Sequence, residues 1–126
     1  MTYPELESRM PLESQKINQR DPEFRPHTGE SLLDLRARVQ ACLSFLLKQH
    51  AGETLICFTH GGVLDLIYRE ATDTAIETKR AWDIPNAGVN HISYRPQETP
   101  PWQVQKWGFI KHLESQTAGA NTNADF

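Results

Sequence analysis

No apolar run in the sequence approaches the roughly 20 residues that carry a helix across a bilayer. The opening Met1-Thr2-Tyr3-Pro4-Glu5 also lacks the basic and apolar regions of a secretory signal. Both absences predict a cytoplasmic protein with no membrane partner. A basic stripe is missing too: 13 Lys and Arg face 16 Asp and Glu, the net charge is -3, and the charges are spread along the chain. That excludes the electrostatic footprint of a nucleic-acid binder. Cysteine is scarce. Cys42 and Cys57 fall in a helical and a strand-like pattern, so they are expected as buried free thiols of a reducing compartment rather than as a disulfide. They make no CxxC pair, and His27, His50, His91 and His112 form neither HxxxH nor HExxH with His60. Neither a metal centre nor a cofactor is therefore expected.

What is present is enough for one α/β domain, since 126 residues can bury a real core but not two of ordinary size. Residues 3–20 allow one or two short helices broken by Pro11, and residues 21–29 are rich in turn formers. Ser31 is then placed to cap a helix, with Asp34 three residues on, and Leu32, Leu35, Val39, Cys42, Leu43 and Leu46 recur with helical period. This stripe predicts a core helix, ended by Gly52.

Residues 54–59 form a short continuous apolar run, the pattern of a parallel strand buried on both faces. His60-Gly61-Gly62 makes a tight turn into a second helical pattern, carried by Val63, Leu64, Leu66 and Ile67 and reaching about Ala71. A further short helix is expected over residues 74–82. Pro85-Asn86-Ala87-Gly88 turns into a strand over residues 89–94. Residues 102–107 alternate and should pair with it as a hairpin at the sheet edge, with Trp102 and Trp107 on opposite faces. From Ser115 onward the composition reads as a disordered tail.

The chemistry centres on His60. A strand running into His60 and two glycines puts an imidazole at the carboxyl end of a parallel sheet, where open α/β folds bind ligands. Free amides opening the next helix favour an anion such as phosphate. Two other polar residues have plainer readings: Glu30, before a helix, complements the helix dipole, and Asn86, between Pro85 and Ala87, is a turn residue.

Gly29-Glu30-Ser31 followed by Asp34-Leu35 and Arg38-Val39, together with Cys57-Phe58-Thr59-His60-Gly61-Gly62-Val63, resembles two segments of the histidine phosphatase (phosphoglycerate mutase-like) family. Pro85-Asn86-Ala87-Gly88 and Gly108-Phe109-Ile110-Lys111-His112-Leu113 extend the likeness. The resemblance implies a three-layer α/β fold, a mainly parallel sheet flanked by helices. It also implies phosphoric monoester hydrolase or mutase chemistry through a phosphohistidine. In that family a histidine in an Arg-His-Gly motif takes the phosphoryl group, and a second histidine, two arginines and an acidic donor surround it. Matched residue by residue, the second histidine is His60, a catalytic and phosphate-binding position, and the Gly61 amide joins it in holding phosphate.

The nucleophile motif itself is not here: no arginine precedes any of the five histidines, and only His60 is followed by glycine. Nor do residues 1–30 hold an apolar run that would serve as the family's first strand. The expectation is thus a C-terminal portion of the domain over residues 1–114, lacking the nucleophile-bearing strand, with a tail over 115–126. Such a chain should bind a small phosphate ester without turning it over, and through an exposed apolar sheet edge it should self-associate, aggregate or be only marginally stable. The alternative is a non-catalytic phosphate-ester-binding or regulatory module.

Overall fold

The computed structural model describes residues 2–27 and 29–114, and the expected tail lies outside the described residues. The chain is α/β. It divides into two compact units, one holding residues up to Ile56 together with Ala75–Lys79, the other Cys57–Thr74 and the described residues from Arg80 onward.

In the first unit, Thr2 opens α1 (Tyr3–Arg9) with a capping box: its backbone N–H donates to Glu5 Oε2 at 2.7 Å while its hydroxyl accepts from the Glu5 amide. Pro11 ends the run. Without an N–H it cannot continue α1, but it suits the first turn of α2 (Pro11–Asn18). The predicted break at Pro11 is therefore where the structure has it. α3 (Leu32–Gln49) begins as the sequence implies, with Ser31 Oγ accepting from the Asp34 amide at 3.1 Å and Asp34 Oδ2 accepting from the Ser31 amide at 3.0 Å. His50 closes it, and Gly52 turns the chain away with a φ of +77°. Two longer-range bonds tie the unit together: Leu33 N donates to Pro22 O at 3.1 Å, and Arg20 Nε donates to Ile76 O at 3.0 Å, anchoring the buried Ile76.

The apolar stripe of α3 is less covered than a core helix requires. Val39 is buried, whereas Leu32, Leu35, Leu43 and Leu46 are half-buried and Cys42 is exposed. Helical period predicts which residues share a face, but burial of that face depends on what the rest of the fold sets against it.

In the second unit, α4 (Gly61–Thr72) packs on β2 (Trp102–Phe109), which pairs antiparallel with β1 (Val89–Tyr94). Tyr68 of α4 stacks on Trp82 at 4.2 Å and meets Trp107 at 4.9 Å, while Leu66, Ala71 and Ile84 are buried. The hairpin ladder runs in one register from Tyr94↔Trp102 to Ile92↔Val104, then slips before His91↔Lys106 and again before Val89↔Phe109. Gly108, at a φ of +64°, is where such an irregularity is affordable, and its amide donates to Asn90 Oδ1 at 2.9 Å.

Three expectations are corrected. Residues 54–59 form no strand and are exposed throughout, Ile56 at 84% and Phe58 at 97%; the sheet of the described residues is the antiparallel hairpin. A continuous apolar run encodes a wish to be buried, but a strand exists only where neighbours complete its hydrogen bonds, and among the described residues none does. α4 ends close to the expected Ala71, where Asp73 adopts the left-handed region (φ 52°, ψ 44°), but residues 74–82 form a turn at Ile76 and Glu77 within irregular chain instead of a further helix. Lastly, Cys42 and Cys57 are free but exposed, because neither the α3 stripe nor residues 54–59 are covered.

Candidate functional site

His60 is the N-cap of α4. Its backbone is extended (φ -121°, ψ 166°), its carbonyl accepts the first helical hydrogen bond from Leu64 N at 2.9 Å, and its imidazole makes no hydrogen bond to the helix it caps. The side chain is exposed. The amides opening a helix have no intrahelical acceptor, so Gly61 and Gly62 turn unpaired N–H groups toward the N-terminal end of α4. Gly61 is buried, whereas a Cβ built at Gly62 would meet open space. Nothing in the packing around Gly62 demands a glycine.

α4 differs in this from the other well-capped helices. α1 and α3 each carry a capping box and an acidic residue in the first turn, Glu5 and Asp34, while α4 has neither. A carboxylate there would cancel the partial positive charge of the helix end. Asp65, one turn further along, is buried and engaged by Arg69 at 2.8 Å, with the Arg69 guanidinium lying over the Trp82 ring at 4.8 Å. The site is thus an exposed imidazole and an uncompensated helix start, carried on a helix that Tyr68 pins to Trp82 and Trp107. Such an arrangement can hold an anion.

The family model of the histidine phosphatase superfamily (branch 1) matches residues 1–109. The chain belongs to the histidine phosphatase superfamily. Within this superfamily it is 37% identical over 90 residues to a metal-independent phosphoserine phosphatase of Arabidopsis thaliana, covering 71% of this chain and 35% of that protein. It is 35% identical over 89 residues to the phosphoglycerate mutase-like protein 4 of the same plant, covering 71% and 36%. With the probable phosphoglycerate mutase GpmB of Enterobacter sp. (strain 638) it shares 31% over 91 residues, covering 69% and 41%. The chain therefore spans well under half the length of these histidine phosphatase relatives. No solved structure matches it.

The remaining residues singled out in the sequence are occupied elsewhere. Glu30 receives Arg38 Nη2 at 2.6 Å, which holds its carboxyl below the usual range and raises Arg38. Asn86 is exposed in the turn closed by Gly88 N to Pro85 O at 3.1 Å. His50 Nδ1 meets Glu53 at 3.1 Å, and His112 Nε2 meets the Ala87 carbonyl at 2.9 Å. Among the described residues no group of three His, Cys, Asp or Glu side chains is placed to hold a metal, and no helix is long and apolar enough to cross a membrane. Trp107 packs on Tyr68, and Trp102 on its cross-strand partner Tyr94 at 4.7 Å. The buried Asp65–Arg69 pair escaped the sequence reading, though acid and base four apart inside an apolar stripe was the available signal.

Proposed function

We propose that His60 and the Gly61 amide form the phosphate-holding half of a histidine phosphatase site. In the intact domain His60 would stabilise the transferring phosphoryl group of a phosphate monoester, while a phosphohistidine elsewhere carries it covalently. The observation that supports this most directly is the geometry of α4: an exposed histidine caps a helix whose first turn carries no acid, in a chain of this superfamily. The Arg-His-Gly motif is not among these 126 residues. The chain by itself therefore binds small phosphate esters but does not turn them over, because an anion hole without an aligned nucleophile makes no phosphoenzyme.

The same reading takes residues 1–114 as the C-terminal portion of a three-layer domain with a mainly parallel sheet. Residues 54–59 stay exposed, Ile56 and Phe58 most of all. In this chain they would recruit a second copy, since exposed apolar segments with unpaired backbone seek partners.

The test is an assay of the purified chain against a panel of phosphate monoesters, with His60→Ala as control, alongside mass spectrometry for an acid-labile phosphohistidine. No turnover above background, with ester binding that His60→Ala weakens, supports the reading. Turnover that depends on His60, or phosphate on any histidine, overturns the claim of an incomplete site. A second reading, a phosphate-ester-binding or regulatory module, draws on the same exposed His60 and absent nucleophile. Ester binding that changes the association of a partner protein would favour it.

A further inference from the structure

Arg80 carries its charge into an enclosed place with nothing to receive it. Both terminal nitrogens, Nη1 and Nη2, are buried, and neither has a hydrogen-bond acceptor among the described residues. A guanidinium stays protonated at any physiological pH and can only donate. Enclosing such a group unpaired is among the costlier things a fold can do, and structures normally relieve it with a counter-charge.

Among the described residues no counter-charge pairs with those two nitrogens. The buried carboxylate of the surrounding unit, Asp65, is engaged by Arg69. The indole N–H of Trp82, two residues beyond Arg80, is also buried without an acceptor, as is that of Trp107, and both rings rest on Tyr68. Arg80 is the described residue of this unit in which two buried donors of one charged group lack an acceptor. What satisfies an unpaired guanidinium is a group that accepts at two oxygens and donates at none, and the planar fork of an arginine matches two oxygens of a phosphate or carboxylate.

We propose that Arg80 is the binding residue for a small oxyanion, a phosphate or a carboxylate group, at a position distinct in sequence from His60. The inference rests on the orphaned guanidinium and does not depend on the role assigned to His60.

The experiment uses the full chain and the variants Arg80→Met, Arg80→Lys and His60→Ala. Thermal unfolding is followed in chloride, then in inorganic phosphate and in acetate at matched ionic strength, and phosphate binding is measured by calorimetry. In chloride, Arg80→Met should melt higher than the parent, because it removes a buried unpaired charge. In phosphate or acetate, the parent should gain melting temperature and Arg80→Met should not. Arg80→Lys, which keeps the charge but loses the fork, should keep the fold and bind about tenfold more weakly. The phosphate and acetate arms tell the two oxyanions apart, and a gain in either supports the site.

Three results overturn it: no anion-dependent stabilisation of the parent, a lower melting temperature for Arg80→Met in chloride, or unchanged phosphate affinity in both Arg80 variants. Phosphate affinity lost in His60→Ala but kept in both Arg80 variants sinks this proposal while leaving the helix-start site standing. Should Arg80→Met fail to fold, the Arg80→Lys affinity decides.

Discussion

Arg69 Nε donates to Asp65 Oδ2 at 2.8 Å across one turn of α4, with the two side chains only 3% and 2% exposed. Removing either partner strands the other charge away from water. Asp65→Asn or Arg69→Met should therefore cost about 3–5 kcal/mol, whereas an apolar replacement of both should cost far less. Denaturant unfolding of the two single variants and the double variant measures this, and equal losses in all three would contradict it.

The capping box of α3 should be sensitive to acid. The Ser31 amide, and Arg25 beside it, hold the Asp34 carboxyl below its usual range, and Arg38 does the same for Glu30. A carboxyl depressed in the folded state contributes stability above the unfolded value, about pH 4, and that contribution disappears as pH falls through the lower folded value. Ser31→Ala should cost about 1 kcal/mol at neutral pH. Asp34→Asn should flatten the part of the acid unfolding profile below pH 4, as followed by circular dichroism.

Backbone conformation sets two opposed glycine experiments in the second unit. Ala87 sits at a φ of +55°, so Ala87→Gly should raise stability by up to about 1 kcal/mol, the relief of left-handed strain exceeding the added chain entropy. Gly108 sits at +64°, and a Cβ there would lie 3.4 Å from the Asp83 carbonyl oxygen, so Gly108→Ala should destabilise. Denaturation midpoints of the two variants should move in opposite directions.

Self-association is tested at residues 54–59. Ile56→Lys with Phe58→Lys should give a monomer in sedimentation velocity at concentrations where the parent forms larger species, because both side chains are exposed and neither supports the core. A parent chain that remains monomeric would rule out recruitment of a second copy through this segment.

Local signals were readable wherever the chain itself completes them. Ser31 and Asp34 satisfy each other's backbone, Pro11 breaks a helix by what it lacks, and the alternating residues around Trp102 find their partners on a strand a short turn away. The runs at 54–59 and along α3 were legible as apolar but not as uncovered, since cover comes from distant segments. The end of α4 was legible to within a residue from its periodicity, though not the left-handed conformation of Asp73 that closes it. At the site, the start of α4 at Gly61 followed from its helical pattern, whereas the strand expected to run into His60 is not formed. The orphaned Arg80 was not legible, because whether a cation has a partner is decided in three dimensions.

All three tryptophans, Trp82, Trp102 and Trp107, belong to the unit that carries His60, and Trp82 is flanked there by Tyr68 and Arg69. Intrinsic fluorescence excited at the indole band is accordingly an optical label for that unit, blind to α1, α2 and α3. Far-ultraviolet ellipticity sums the helices of both. A melt recorded on the two channels at once reads the units separately without any added dye, and a gap between the curves measures how far one can open while the other stays closed.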